Sequence, residues 1–388
     1  MKKYIGLHEP DFKGNEINYV SKCIRDSWVS TSGKYLTLFS NRIKKITNSK
    51  YALPVLNGTI GLHLSLIVSD VKKDDEVLVP TITFIASVNA IRYLNARPIF
   101  MDTDQFLNID EEKTIEFINN NTKKTGKYSI NIKTKNKIKA IIIVHTFGNA
   151  AKFEKLYSLC KKKNIKIIED AAESLGTVYK KNKFKKKHTG TIGDFGVISF
   201  NGNKIITSGN GGILLTQNKK YFKKALYLAE QAKNDKVNFV HNEVGYNYKL
   251  SNISAALGFA QLEDLNSKIK KKKQIKLFYK RKLNNINGLD LFETPNYSDN
   301  NNWLNLLKLD EKVFKKKTTR LIKKINNFNF QIRPVWYPNH LQKHFKKYET
   351  YKINYATKLI KNLICLPSSP FLKEKQINEI VDVIKKNA

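Results

Sequence analysis

Cysteine, arginine and unbroken apolar sequence are all scarce in this chain of 388 residues, and each scarcity closes off a class of protein. Three cysteines, Cys23, Cys160 and Cys365, are odd in number and far apart, which suits neither a disulfide framework nor a metal motif. No metal is expected, and a reducing, cytoplasmic setting is the natural one. No apolar stretch approaches the roughly 20 residues that cross a bilayer. The opening Met1-Lys2-Lys3-Tyr4-Ile5-Gly6 lacks the apolar run of a signal peptide, so membrane insertion is not expected. Arginine supplies only seven of the 70 basic side chains, at Arg25, Arg42, Arg92, Arg97, Arg281, Arg320 and Arg333.

The formal net charge of +37 therefore rests on lysine. Clusters stand at Lys161-Lys162-Lys163, Lys185-Lys186-Lys187, Lys270-Lys271-Lys272-Lys273 and Lys315-Lys316-Lys317. They raise the possibility of a basic nucleic-acid or membrane-surface binding protein. Two features weigh against that class. Arginine, whose planar fork suits bases and phosphates, is nearly absent. The lysines are also spread along the whole chain rather than gathered into one stripe. They read as lysine filling exposed positions, with no specific nucleic-acid partner, although the field still draws small anions.

What is present is a core-forming sequence with 41% hydrophobic residues, long enough for one large and one smaller domain. Helix-like and strand-like runs alternate through the first two thirds. A helix is expected over Ile60–Val68, a strand over 77–80, a helix over 82–94 and a strand over 98–101. A strand over 139–144, a helix over 151–163 and a strand ending at Asp170 follow. That alternation predicts an α/β fold whose mostly parallel sheet is covered on both faces. The polar, Lys/Asn-rich residues 112–138 read as a surface helix with a loop. From Ser251 one long helix is expected to run through the basic residues 268–280 into a second domain. There, strands are expected at 289–292, 303–309 and 328–336, and helices near 311–326 and 373–386. The boundaries that result are a large domain over 1–265 and a small α+β domain over 266–388, with the extreme N-terminus a candidate to pack on the latter.

One lysine stands out by its surroundings. The apolar strand Val197–Phe200 ends in Asn201-Gly202-Asn203-Lys204, and a Gly-rich segment leads to Ile213-Leu214-Leu215. Upstream, Ile165-Lys166-Ile167-Ile168 ends in Glu169-Asp170-Ala171-Ala172-Glu173. A carboxylate and an amine at the C-terminal ends of two buried strands face the side where open α/β sheets bind ligands. Pyridoxal phosphate requires such a pair: an amine to form a Schiff base and an acid for its ring nitrogen. Gly58 and Thr59 precede a helix whose N-terminal amides can hold a phosphate. Taken singly, each residue has a plainer reading. Lys204 is a solvated lysine, Thr59 a helix cap, Phe84 a core aromatic, Asp170 an N-cap, Ser199 a strand serine and Asn247 a turn former.

Five segments nevertheless form one pattern: Asn57–Leu64, Val79–Ser87, Glu169–Gly176, Gly193–Gly212 and Gly245–Ile253. With Trp28-Val29-Ser30, Gly33-Lys34, Arg333–Pro338 and Leu366–Pro370, they resemble the DegT–StrS family of pyridoxal-phosphate sugar aminotransferases over nearly the full length. The resemblance implies fold type I, the aspartate-aminotransferase architecture. It implies Lys204 as Schiff-base lysine and proton shuttle, and Asp170 at the pyridine nitrogen. Phe84 would stack on the ring, and Gly58, Thr59 and Ser199 would lie at the phosphate. Asn247 would reach the neighbouring subunit's cofactor, which implies a homodimer with shared sites. Glu173 stands where many members carry glutamine against the phenolic oxygen, and a carboxylate there needs a shared proton or a different partner. Lys249 replaces an arginine. His188, in Lys187-His188-Thr189-Gly190, is similar to a substrate loop, and Arg333 and His340 lie in the segment on the small-domain side of the cleft. The implied donor is L-glutamate. The implied acceptor is a nucleotide-linked 4-keto-6-deoxy sugar on the way to a surface glycan or nonulosonic acid. UDP-2-acetamido-2,6-dideoxy-4-hexulose is expected first, giving UDP-4-amino-4,6-dideoxy-N-acetylglucosamine, and GDP-4-keto-6-deoxymannose, as in GDP-perosamine synthase, second.

Overall fold

The structure is a computed structural model that describes residues 4–235, 237–284, 286–314 and 318–387; the basic run at 315–317 lies outside them. A long sheet organises the first two thirds. Its strands run in the spatial order Tyr51–Val55, Gly212–Thr216, Phe195–Ser199, Lys166–Asp170, Lys137–Val144, Glu76–Pro80 and Arg97–Met101. From Phe195–Ser199 to Arg97–Met101 every neighbouring pair is parallel, while Gly212–Thr216 is antiparallel to both of its neighbours. The strands read as unbroken Val/Ile/Leu runs because helices cover both faces, so neither face selects polar residues. Val77, Val79, Ile141, Ile142 and Ile168 are accordingly buried.

Between these strands lie the helices Gly58–Val68, Ala86–Tyr93 and Glu154–Lys163, the first starting slightly earlier than the periodicity suggests and the other two later. Residues 112–138 depart from expectation. The helix Glu111–Asn120 is there, but a hairpin of Thr122–Thr125 and Tyr128–Asn131 replaces the loop and pairs with Lys137–Val144. Its buried positions are Thr122, Ser129 and Asn131, so no apolar alternation announces it. Polar contacts hold it instead, Asn131 Nδ2 donating to Glu76 at 2.9 Å and to Glu349 at 2.7 Å. A further two-residue strand, Thr350–Tyr351, joins the sheet edge beside Arg97–Met101 and is too short to carry a period.

The long helix is two helices, Asn252–Glu263 and Leu265–Leu283, broken at Asp264. Ser251 caps the first by accepting from the Ser254 amide. The second presents Ile275, Tyr279 and Leu283 to a separate apolar core, together with Ile332, Ile364, Leu366, Ile380 and Ile384. Lys268 and Lys272 occupy the same buried stripe, contrary to the expectation that the lysines fill exposed positions. Lys272 Nζ donates to the carbonyls of Trp303 and Ser368.

That second core packs on a four-stranded antiparallel sheet ordered Leu289–Leu291, Asn305–Leu309, Leu363–Leu366 and Arg333–Pro334. The helices Thr318–Asn326 and Glu374–Asn387 accompany it. The strand expected over 328–336 shrinks to Arg333–Pro334, since Pro334 has no N–H to continue a ladder. Ile5 belongs to the same core and bridges Phe330, and Ser368 donates its amide to the Leu7 carbonyl at 2.7 Å.

Candidate active site

A cleft of about 740 Å³ opens over the C-terminal ends of the parallel strands, where the sheet and the C-terminal third meet. Gly58, Thr59, Phe84, Asp170, Glu173, Ser199, Lys204 and Arg333 all line it. The fold therefore gathers residues separated by up to 275 positions from the sequence into one cavity.

Asp170 ends its strand with the carboxylate buried. Ser87 donates to Oδ2 at 2.6 Å and the Ala172 amide to Oδ1 at 3.1 Å. Thr83 Oγ1 lies 2.9 Å from Ser87 Oγ, extending the chain of hydroxyls. At the preceding position, Glu169 faces the other way and accepts the amides of Gly190, Ile192 and Gly193, which ties the strand end to the neighbouring loop. His145 Nε2 stands 2.9 Å from Glu169 Oε2, and its Nδ1 accepts the Ala151 amide. That arrangement puts the ring proton on Nε2.

At the other strand end, Lys204 Nζ lies 3.2 Å from Glu173 Oε1 and 4.3 Å from the centre of the Trp303 ring. Glu173 Oε2 accepts the Phe147 amide at 2.8 Å. Burial pushes the Glu173 carboxyl up to about 7, against the opposing pull of the Lys204 charge and the Phe147 amide. Phe147 reaches this position with φ +56°, a left-handed conformation that an aromatic residue rarely adopts. Its ring stacks on Trp336 at 4.5 Å and on Trp303 at 6.2 Å, and Phe84 continues the row 6.2 Å from Trp336.

The phosphate-binding capacity lies at the start of the helix Gly58–Val68. Asn57 takes the amides of Ile60 and Gly61, and those of Gly58 and Thr59 begin the helix at the cavity wall. The approach is close. A Cβ on Gly212 would lie 2.5 Å from the Asn57 carbonyl carbon and 2.7 Å from the Gly58 nitrogen, and one on Gly58 would lie 3.1 Å from Ser199 Cβ. A helix N-terminus with a serine hydroxyl beside it, a buried carboxylate and an amine fit the phosphate, ring nitrogen and aldehyde of pyridoxal phosphate.

Four expected residues lie elsewhere. His188 is buried outside the cavity lining, with Nδ1 on the Thr189 carbonyl and Nε2 accepting the Gly176 amide, so both nitrogens are committed and neither is offered to a substrate. Burial brings its pKa down to about 4. His340 is bonded to Thr81 Oγ1 at 2.6 Å, and Lys249 Nζ pairs with Glu230 at 2.7 Å. Asn247 bridges Glu230 in the segment before the helix Asn252–Glu263. None of the three lines the cavity of its own chain. Conversely, His8, His145, Phe147, Trp303 and Trp336 line it without having been singled out from the sequence. Trp336 lies in the segment Arg333–Pro338 that carries the resemblance, while the other four come from stretches without a motif, and only the fold brings all five to the lysine.

Comparison with known proteins agrees with this chemistry. The pattern of the DegT/DnrJ/EryC1/StrS aminotransferase family matches residues 10–385. The chain is 35% identical to the GDP-perosamine synthase of Escherichia coli O157:H7 over 389 residues, covering 98% of each protein. It is 34% identical to the putative pyridoxal phosphate-dependent aminotransferase EpsN of Bacillus subtilis, covering 99% of this chain and 96% of that one. The fold is shared with the Helicobacter pylori aminotransferase PseC at a TM-score of 0.86 and 21% identity, covering 99% of each chain.

Proposed function

Since the chain belongs to the DegT/DnrJ/EryC1/StrS aminotransferase family, and is thus a pyridoxal-phosphate-dependent transaminase, we propose that it moves the amino group of L-glutamate to C4 of a nucleotide-linked 4-keto-6-deoxy sugar. The observation that carries this reading is the convergence of Lys204, Asp170 and the Gly58–Thr59 helix start on one cavity. When bound, pyridoxal phosphate supplies the electron sink for the carbon that gains or loses the amino group.

The chain's own residues then have separable tasks. The amides of Gly58 and Thr59, with Ser199, hold the phosphate. Asp170, held in place by donation from Ser87 and the Ala172 amide, pairs with the protonated ring nitrogen. Phe84 and the aromatic row fix the plane of the ring. Lys204 Nζ moves the proton at the amino-bearing carbon. Glu173, raised by burial, retains the proton that a carboxyl facing a phenolic oxygen requires. Arg333, on the exposed lip, suits the glutamate carboxylate. Asn247 suits the phosphate of a second copy's cofactor, so the active unit is a dimer with shared sites.

Between the acceptors, the relatives favour GDP-4-keto-6-deoxymannose: GDP-perosamine synthases of Escherichia coli, Vibrio cholerae and Caulobacter vibrioides match at 35%, 33% and 29% identity over nearly the whole chain. The UDP-linked acceptor expected first from the sequence is the second reading. It is favoured by the segment Ser199–Thr207 and by a 30% match over 267 residues to a Campylobacter jejuni UDP-4-amino-4,6-dideoxy-N-acetyl-beta-L-altrosamine transaminase.

The test is an absorbance spectrum with pyridoxal phosphate, before and after glutamate, for the wild type and Lys204→Ala. A visible band that needs Lys204 and is bleached by glutamate supports transamination, and its absence sinks it. Mass analysis of the product from each ketosugar then separates the two acceptors.

A further inference from the structure

His8 stands on the N-terminal segment, which the C-terminal third clamps on both sides. The Leu7 amide donates to Gln331 at 3.0 Å, the Ser368 amide to the Leu7 carbonyl, and the Glu9 amide to Ser369 at 2.9 Å. The clamp fixes the backbone and turns the His8 side chain inward. His8 is only 8% exposed and lines the cleft, and its ring flanks Trp303 at 6.3 Å, the same indole over which Lys204 is poised. Neither ring nitrogen meets hydrogen-bond geometry with any described residue, although the Asn203 backbone lies close enough to pull on the ring.

Burying an imidazole in this state destabilises the fold, because both nitrogens give up water and receive no more than a loose contact with the Asn203 backbone in return. A leucine of similar size would carry no such penalty, so packing does not explain the residue. The group that compensates the nitrogens has to come from what enters the cleft. A half-turn of the ring about Cβ–Cγ exchanges Nδ1 with Cδ2 and Nε2 with Cε1, so the edge facing the cavity can present nitrogen with no change of volume.

The neighbouring charges select the ligand's chemistry. Burial, then the charges of Lys272 and Lys204, hold the His8 pKa well below its ordinary value against the weaker pull of the Asn203 backbone, so the ring is neutral. A neutral imidazole offers one donor and one acceptor, the complement of a hydroxyl, whereas a carboxylate accepts only. Arg333 lines the same cleft and already suits the carboxylate of the amino donor.

We propose that His8 is a specificity-determining residue for the acceptor sugar, hydrogen-bonding a ring hydroxyl of the hexose while leaving the amino donor untouched. The inference rests on the sugar aminotransferase reading above, and the two can fail separately.

The test compares the full-length wild type with His8→Leu and His8→Gln. The expected result has three parts. The melting temperature of His8→Leu equals or exceeds that of the wild type. Its calorimetric Kd for GDP-4-keto-6-deoxymannose, or for the UDP-linked ketosugar if that binds the wild type better, rises about tenfold on the cofactor-free chain, as loss of one hydrogen bond implies. The rate of the glutamate-dependent bleaching of the cofactor-loaded enzyme stays within about twofold, while His8→Gln, which keeps a donor and an acceptor, recovers most of the lost affinity. An unchanged ketosugar Kd in His8→Leu overturns the proposal. So does an equal loss in both half-reactions with a lowered melting temperature, since that marks a structural role. A wild type that glutamate does not bleach overturns the transaminase reading and this inference with it.

Discussion

Glu173 Oε1 and Lys204 Nζ are 3.2 Å apart, and the same carboxyl takes the amide of a left-handed Phe147 through its other oxygen. The reactive lysine is thus joined to a loop 57 residues earlier in the chain. The pair sits where neither partner is well solvated.

Burial raises the Glu173 carboxyl to about 7, above its value in the unfolded chain. A group raised in this way contributes stability that is complete below the unfolded pKa and is lost as pH climbs through the folded one. The cofactor-free wild type should therefore lose stability relative to Glu173→Gln between about pH 4.5 and 7, at a rate approaching about 1.4 kcal/mol for each pH unit climbed. Melting temperatures of both proteins across that range check the sign. Parallel curves would show that Glu173 does not titrate there.

Ser87→Ala removes the hydroxyl that donates to Asp170 Oδ2 at 2.6 Å, while the Ala172 amide still holds Oδ1. If Asp170 serves the ring nitrogen, affinity for pyridoxal phosphate should fall about ten- to hundredfold, the worth of one hydrogen bond to a charged group. A fluorescence titration of the cofactor-free chain measures it.

Gly212→Ala tests the close approach of helix and strand. The new Cβ would meet backbone of Asn57 and Gly58 rather than a side chain able to swing aside. We expect a loss of about 2–4 kcal/mol in denaturant unfolding, together with weakened phosphate binding, because the helix start has to move. Retention of both would mean that the contact relaxes without cost.

Asp102 lies at the end of the strand Arg97–Met101 and accepts the amides of Asn354, Tyr355 and Ala356 as well as Lys113. Burial alone would raise its carboxyl, but Lys113 and the three amides outweigh it and leave the pKa lowered. The stabilisation is present above the unfolded pKa and is lost as pH falls through the folded one. Asp102→Ala should cost about 3 kcal/mol at neutral pH and progressively less in acid. Chemical denaturation at pH 7 and pH 3 checks both halves.

Asn247 is kept away from the cavity of its own chain. Mixing inactive Lys204→Ala with inactive Asn247→Ala should restore activity, because one site of each mixed dimer then carries both native residues. Failure to complement after verified subunit exchange removes Asn247 from a shared site.

The sequence by itself determined the alternation of elements, the mostly parallel sheet and the residues Asp170 and Lys204, because each stands where an apolar run ends. Such signals are local: a buried strand must be apolar along its length, and a helix start must leave amides free. The hairpin over 122–131 was not legible, because its buried positions are Thr122, Ser129 and Asn131, all polar, and its stability comes from distant carboxylates. The break at Asp264 and the burial of Lys268 and Lys272 were hidden for a related reason. A lysine's charge reads as solvent-facing until the carbonyls of Trp303 and Ser368 are folded around it. Only the tertiary structure decided which histidines face the cleft. It committed both nitrogens of His188 to backbone and left His8 beside Trp303 without a well-formed hydrogen bond, since hydrogen-bond satisfaction depends on which segments the fold brings within about 3 Å.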